Sequence, residues 1–176
     1  MSVNAIHQRF HRSLLFGAML SSLLCGCSST TSAPLLEASK LELRIVVGDN
    51  VNLDDKGRAA PIEVRIYELK SEGVFQQTDF FTLQKQDTLA LGTDLLVKDE
   101  FVFLPGESRT IHRKSQPQTI AIGVLAAYRQ LGTATWRGIY KLKPAPAAWY
   151  RAVLPNNKVK LNIELQANDI KIRELD

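Results

Sequence analysis

The chain has 176 residues, with 45% hydrophobic and 23% charged side chains and a formal net charge of +4. That is room for one domain with its own core rather than two, and it is not the composition of a disordered chain. Two cysteines cannot build a disulfide framework or a four-cysteine zinc site. The mild basic excess lacks the dense stripe that nucleic-acid binding calls for, so no nucleic-acid partner is expected.

Residues 1–26 read as a cleaved targeting segment. Arg9 and Arg12 give a positive start, and Leu14 to Leu24 is an apolar run. A run of about eleven residues is too short for a transmembrane helix, which needs about 20. It ends in Leu24-Cys25-Gly26-Cys27, the pattern of a bacterial lipobox. Gly26 is small enough to precede the modified cysteine and Leu24 is not, which selects Cys27 over Cys25. Cys27 is therefore expected to begin the mature chain and to carry covalent lipid. Ser28 follows, rather than aspartate. By resemblance to lipoprotein sorting in Gram-negative bacteria, that sends the protein to the outer membrane, facing the periplasm.

Cleavage removes His7, His11 and Cys25, and lipid consumes Cys27. The mature chain keeps only His112 and no free thiol. A multi-histidine metal site and a Cys–His nucleophilic pair are thereby excluded within one chain. Residues 28–40, small and polar, read with Cys27 as a flexible tether (27–40) to a domain over 41–176.

The domain alternates with period two. Leu41, Leu43, Ile45 and Val47 interleave with polar neighbours, as do Ile62, Val64 and Ile66, and later Val159, Leu161, Ile163 and Leu165. Such alternation marks strands with one buried and one wet face. Thr119 to Tyr128 is apolar on both parities and suits a doubly covered central strand. Phe101 to Leu104 and Arg109 to Arg113 flank the turn dipeptide Pro105-Gly106 and are expected to make a hairpin, Ala134 to Leu142 reads as another strand, and Asp169 to Arg173 adds a short one. Seven or eight short strands predict a mainly β, two-sheet sandwich. The rhythm breaks at about 78–96. There Thr78 to Lys85 and Thr88 to Leu96 have helical spacing, with Thr78 or Asp79 available as a cap. Phe80, Phe81, Leu83, Leu89, Leu91 and Leu95 are expected to be buried.

Several groups of residues could carry chemistry. The segment 48–61, GDNVNLDDKGRAAP, holds Asn50, Asn52, Asp54 and Asp55. A calcium loop starting at Asn50 needs glycine sixth and glutamate twelfth, but Asp55 and Pro61 stand there. The segment is long for a hairpin connection. On physical grounds it reads first as a solvated loop turning at Asp55-Lys56-Gly57, and second as a partner-binding loop in which Leu53 is an apolar anchor. Nothing near Ser108 resembles a nucleophile elbow, and His112 on an alternating strand is expected to be exposed. Asp99 and Glu100 are neighbours on a strand and point to opposite faces, which does not suit the joint acid–base work of a wall hydrolase. Trp149-Tyr150 reads as an interface or a core cap. The basic run Arg109 to Lys114 reads as a solvated strand face, or as a surface for anionic headgroups or an acidic partner.

The series in order carries a resemblance. After the lipobox and first strand comes N-x-D-x-x-G-R-x-x-P (Asn52, Asp54, Gly57, Arg58, Pro61), running into VRIYEL (Val64 to Leu69). Phe75, DFFTL (Asp79 to Leu83), ALGTDLL (Ala90 to Leu96), Pro105-Gly106-Glu107, VLAAYR (Val124 to Arg129) and Trp136-Arg137 follow. This series resembles the TssJ (SciN) outer-membrane lipoproteins of the bacterial type VI secretion system, over nearly the whole mature chain. The resemblance implies a transthyretin-like sandwich with a helical insertion, no enzymatic activity, and no cofactor beyond the lipid on Cys27. It implies binding to the periplasmic C-terminal region of TssM, in a membrane complex that also holds TssL. It places the contact in the loop between the first two strands, here Asn52, Leu53, Asp54, Asp55, Lys56, Gly57 and Arg58, of which side-chain chemistry picks Leu53 and Arg58 as the expected anchors. A lipoprotein that carries or senses a small periplasmic ligand is the alternative, and it would need a concave apolar pocket.

Overall fold

The structure, a computed structural model, describes residues 38–143 and 158–176. Cys27, the targeting segment, most of the expected tether and Trp149-Tyr150 lie outside the described residues. The elements in chain order are β1 (Lys40–Val47), β2 (Ile62–Leu69), α1 (Gly73–Gln77), α2 (Phe80–Leu91), β3 (Leu95–Phe103), β4 (Ser108–Lys114), β5 (Ala121–Ala126), β6 (Arg137–Lys141), β7 (Lys158–Leu165) and β8 (Ile170–Leu175). The strands form two four-stranded sheets, ordered β4-β1-β7-β8 and β3-β2-β5-β6. The expected two-sheet sandwich is present, with eight strands among the described residues.

Period two explains the core. The inward residues of β1, β2 and β7, with Phe103, Ile122 and Val124, form one buried cluster between the sheets. β5 is buried at every position. The reason is that its second face is covered by the helical segment. Leu125 and Ala121 pack there with Tyr67, Leu69, Phe75, Phe80 and Leu83 in a second cluster. A strand apolar on both parities needs two apolar partners, and the fold supplies both.

The helical insertion differs from the expectation at both ends. It begins earlier, at Gly73, and its last turn, a 3-10 turn over Gly92–Asp94, stops before Leu95, which opens β3. Asp79 is the cap of α2, its carboxylate accepting from the Thr82 amide at 3.0 Å. Gln86 breaks the helix with non-helical backbone (φ −143°). The break re-phases the residues after it, and Leu89 is 78% exposed. Phe81, before the break, is 58% exposed because it lies about 100° round the helix from buried Phe80, whereas Phe80, Leu83 and Leu91 are buried as expected. The same break delivers Asp87 to the sheet. Asp87 accepts from Arg65 Nη1 (3.1 Å), the Tyr67 hydroxyl (3.1 Å) and Lys98 Nζ (3.0 Å). Burial opposes its charge, but the Lys98, Thr88 and Tyr67 hydrogen bonds outweigh burial and lower its pKa.

The basic run Arg109 to Lys114 is not a uniformly solvated face. Arg109 stacks over Phe101 and Phe103, at 5.0 and 5.2 Å from the ring centroids, and pairs with Glu107. Arg113 turns inward, joining fully buried Glu68 at 2.8 Å and also Asp99, and so ties the two sheets together. Alternation decides this, since every second residue of β4 faces the other sheet. His112, on the opposite parity, is exposed as expected.

Candidate functional site: the loop between the first two strands

Strand order puts four connections at one pole. There β1, β3, β5 and β7 end and β2, β4, β6 and β8 begin. The loop 48–61 is held among the other three. Gly48 N donates to Leu165 O (2.8 Å), and Asn52 N to Ala167 O (3.1 Å). Asn52, only 4% exposed, has left-handed backbone (φ +51°). Its amide side chain donates to Pro61 O (2.7 Å) and accepts from Arg129 N (2.8 Å). One side chain therefore closes the loop and fastens it to the β5–β6 connection. Val51 and Ala60 are buried beneath, with Ala60 N donating to Val51 O at 3.2 Å.

The tip is a second, smaller unit built on Asp54. Its Oδ1 accepts from the amides of Lys56 and Arg58, both at 2.9 Å. Its Oδ2 accepts from Arg58 Nε (2.8 Å) and lies 2.8 Å from Nη2. This is an Asx turn closed by a bidentate guanidinium. The Arg58 amide, then its side chain, outweigh partial burial and hold the Asp54 carboxyl below its usual range. Gly57 N donates to Asp54 O (2.9 Å) at φ +74°, a conformation that favours glycine. The expected turn at Asp55-Lys56-Gly57 is thus present. Asp54 is occupied by four donors, so it is not a free metal ligand. Among the described residues, no group of three or more His, Cys, Asp or Glu could hold a metal ion.

The predicted loop residues separate into two sets. Asn52 and Asp54 face the protein and hold the loop's shape. Asp55, Lys56, Gly57 and Arg58 are exposed, and Leu53 is half-buried. Sequence reasoning found the β3–β4 turn but read its strands as a hairpin, whereas β3 pairs with β2 and β4 with β1 in opposite sheets; it missed that the turn stands beside the loop. Gly106 (φ +78°) sits so close to Asp49 that a Cβ would lie 2.5 Å from Oδ1. This turn sets Leu104, 60% exposed, at the same pole, with Val102 at 64% behind it. The signal was Leu104 beside Pro105-Gly106, but proximity to the 48–61 loop is a property of strand pairing.

Asp99 and Glu100 diverge as expected, Asp99 to Arg113 and Glu100 to Arg65. Ser108 and His112 are both exposed on β4.

Comparison with known proteins gives a consistent result. The model of the type VI secretion lipoproteins (T6SS-SciN; VasD, EvfM, TssJ) matches residues 39–168. The T6SS lipoprotein TssJ1 from Pseudomonas aeruginosa is 33% identical, over 79% of this chain and 98% of that one, with a TM-score of 0.70. Serratia marcescens Lip, described as a membrane-bound component of the Type VI Secretion System, is 28% identical over 78% and 98%, with a TM-score of 0.69. A chain described as the TssM C-terminal domain (869–1107) from EAEC shares the fold at 20% identity, over 78% and 99%, with a TM-score of 0.60. No curated protein matches the sequence significantly.

Proposed function

Since this chain belongs to the type VI secretion lipoprotein family, we propose that it is a structural lipoprotein that joins the outer membrane to the inner-membrane part of the secretion complex. Lipid on Cys27 anchors it, with residues 1–26 removed and 27–40 largely tether. The domain faces the periplasm, and the 48–61 loop captures the C-terminal region of TssM, with TssL in the same complex. The role involves no catalysis and no cofactor beyond the lipid.

One observation carries this reading: β1 joins the two ends of the proposed link. The chain from Cys27 enters at Lys40, and the strand delivers it to the loop at the far pole, about 25 Å away. Ser39 is tied to Ser115 at the entry pole, its amide donating to Ser115 Oγ at 2.9 Å and its carbonyl accepting from Ser115 N at 2.8 Å. An anchored domain so built presents its loop away from the membrane. The loop is held by backbone and buried side-chain hydrogen bonds before a partner arrives, which lowers the ordering cost of binding. Confinement to the membrane raises the effective concentration, so modest affinity suffices.

The test is calorimetric titration of the mature protein with the periplasmic C-terminal region of TssM from the same bacterium. Saturable one-to-one binding that disappears in Leu53→Asp with Lys56→Glu, at nearly unchanged Tm, is the expected result. A folded protein that gives no heat and no complex on gel filtration would overturn the partner assignment and favour the ligand carrier.

A further inference from the structure

The outer face of the β4-β1-β7-β8 sheet carries a concentration of positive charge that partner capture at the opposite pole does not use. Lys40 stands directly opposite Lys114 on one side and Lys158 on the other. Three lysines thus lie side by side across about 10 Å of sheet, and all three are exposed. Like charges directly opposite one another destabilise a sheet, so this row is not explained by folding. The next two rows add Lys160, Arg44 and Arg173. Glu42 is the one acid paired within these three rows, to Lys158 at 2.8 Å, and Lys160 Nζ donates to the Asp176 carbonyl beside Leu175. Lys40, Lys114, Arg44 and Arg173 have no ion-pair partner among the described residues.

Position matters as much as charge. The lysine row is at the pole where the chain from Cys27 enters, and the 48–61 loop is at the other. The 13 residues from Cys27 to Lys40 span at most about 45 Å, so an anchored domain always has this row within reach of the bilayer. We propose that this face docks on anionic phospholipid headgroups of the membrane that holds the anchor. The inference rests on the reading of Cys27 as the lipidated residue. The site supplies a second, electrostatic membrane signal beside the lipid, worth about five-fold in membrane affinity for each cation at the surface. Docking limits reorientation of the tethered domain, and the capture loop lies beyond the docked rows, at the far end of the sheet.

The test uses the full chain carrying Cys27→Ser, sedimented with vesicles of phosphatidylcholine alone or with phosphatidylglycerol at about 30%. The readout is the increment in binding due to phosphatidylglycerol, which cancels the apolar segment common to all variants. The increment is expected to fall at least about ten-fold in Lys40→Gln/Lys114→Gln/Lys158→Gln. It is expected to persist in the charge-matched control Lys56→Gln/Lys85→Gln/Arg129→Gln, and to fade as salt is raised. Circular dichroism melting checks that both variants are folded. No increment, an increment retained in the first variant, equal loss in both, or tighter binding to soluble polyglutamate than to the vesicles would each overturn the proposal. Fatty-acid incorporation into the unmutated protein tests the anchor separately. Acylation without the increment defeats only the docking face, and the increment without acylation defeats only the anchor.

Discussion

Asp54 and Arg58 hold each other across the tip of the β1–β2 loop, with Nε and Nη2 both 2.8 Å from Oδ2. The arginine is 72% exposed, yet its charge is already spent within its own loop. Under the proposed function this corrects the expectation that Arg58 is an anchor: it would position the loop, and Leu53 and Lys56 would be the residues offered to the partner.

A double-mutant cycle checks this division. Asp54→Ala and Arg58→Ala should each weaken TssM binding by roughly three- to ten-fold, and Arg58→Ala should cost nothing more once Asp54 is gone. In the free protein, Asp54→Ala should abolish hydrogen-exchange protection of the Lys56 and Arg58 amides. A further loss on adding Arg58→Ala would mean that the guanidinium touches the partner.

Asn52→Ala should be the most damaging change in the loop. It removes the partners of Pro61 O and Arg129 N and forces a Cβ-bearing residue with no side-chain hydrogen bonds to keep φ +51°. The expected loss is about 2–4 kcal/mol in urea unfolding. A loss below about 0.5 kcal/mol would show that the loop stands without it.

Cys27→Ser should leave the protein without incorporated fatty acid, as read by metabolic labelling. Label retained at the level of the unmutated protein would place the anchor on another residue.

Acid should loosen the helical segment first. The Asp87 pKa is lowered in the fold, so the unfolded chain binds the proton more readily. Its contribution is complete above the ordinary carboxylate value of 3.8 and is lost as pH falls through the lower folded value. Unfolding free energy should thus decline below about pH 4, and Asp87→Asn should flatten that slope. At neutral pH, Asp87→Ala should cost about 3 kcal/mol because Arg65 and Lys98 then lose a shared buried partner. An unchanged acid slope in Asp87→Asn would assign the loss to other carboxylates.

Much of the fold was legible because period two is a local property. Whether Leu43 faces in and Arg44 out depends only on the pleat of β1, and the two-sided apolarity of 119–128 announced a strand covered twice. The ordered motifs, ending at Trp136-Arg137, sufficed to indicate the family. What period and motif could not reveal was pairing. Phe81 and Leu89 are helical and apolar, yet both lie outside, Phe81 on the helix face away from the sheet and Leu89 past the break at Gln86. Arg113 and Lys114 are neighbours in a basic run, yet one turns inward to buried Glu68 and the other joins an exposed row of lysines. Asn52 and Asp54 looked like parts of a contact surface, but only the strand ends at 129 and 167 make Asn52 a frame, and only the folded tip closes Asp54 on Arg58. The sequence by itself determined which residues alternate, and hence the sheets and their buried faces, because each strand carries its own pattern. The tertiary structure alone decided which charges meet and which are left bare, because those neighbours come from strands up to a hundred or more residues apart.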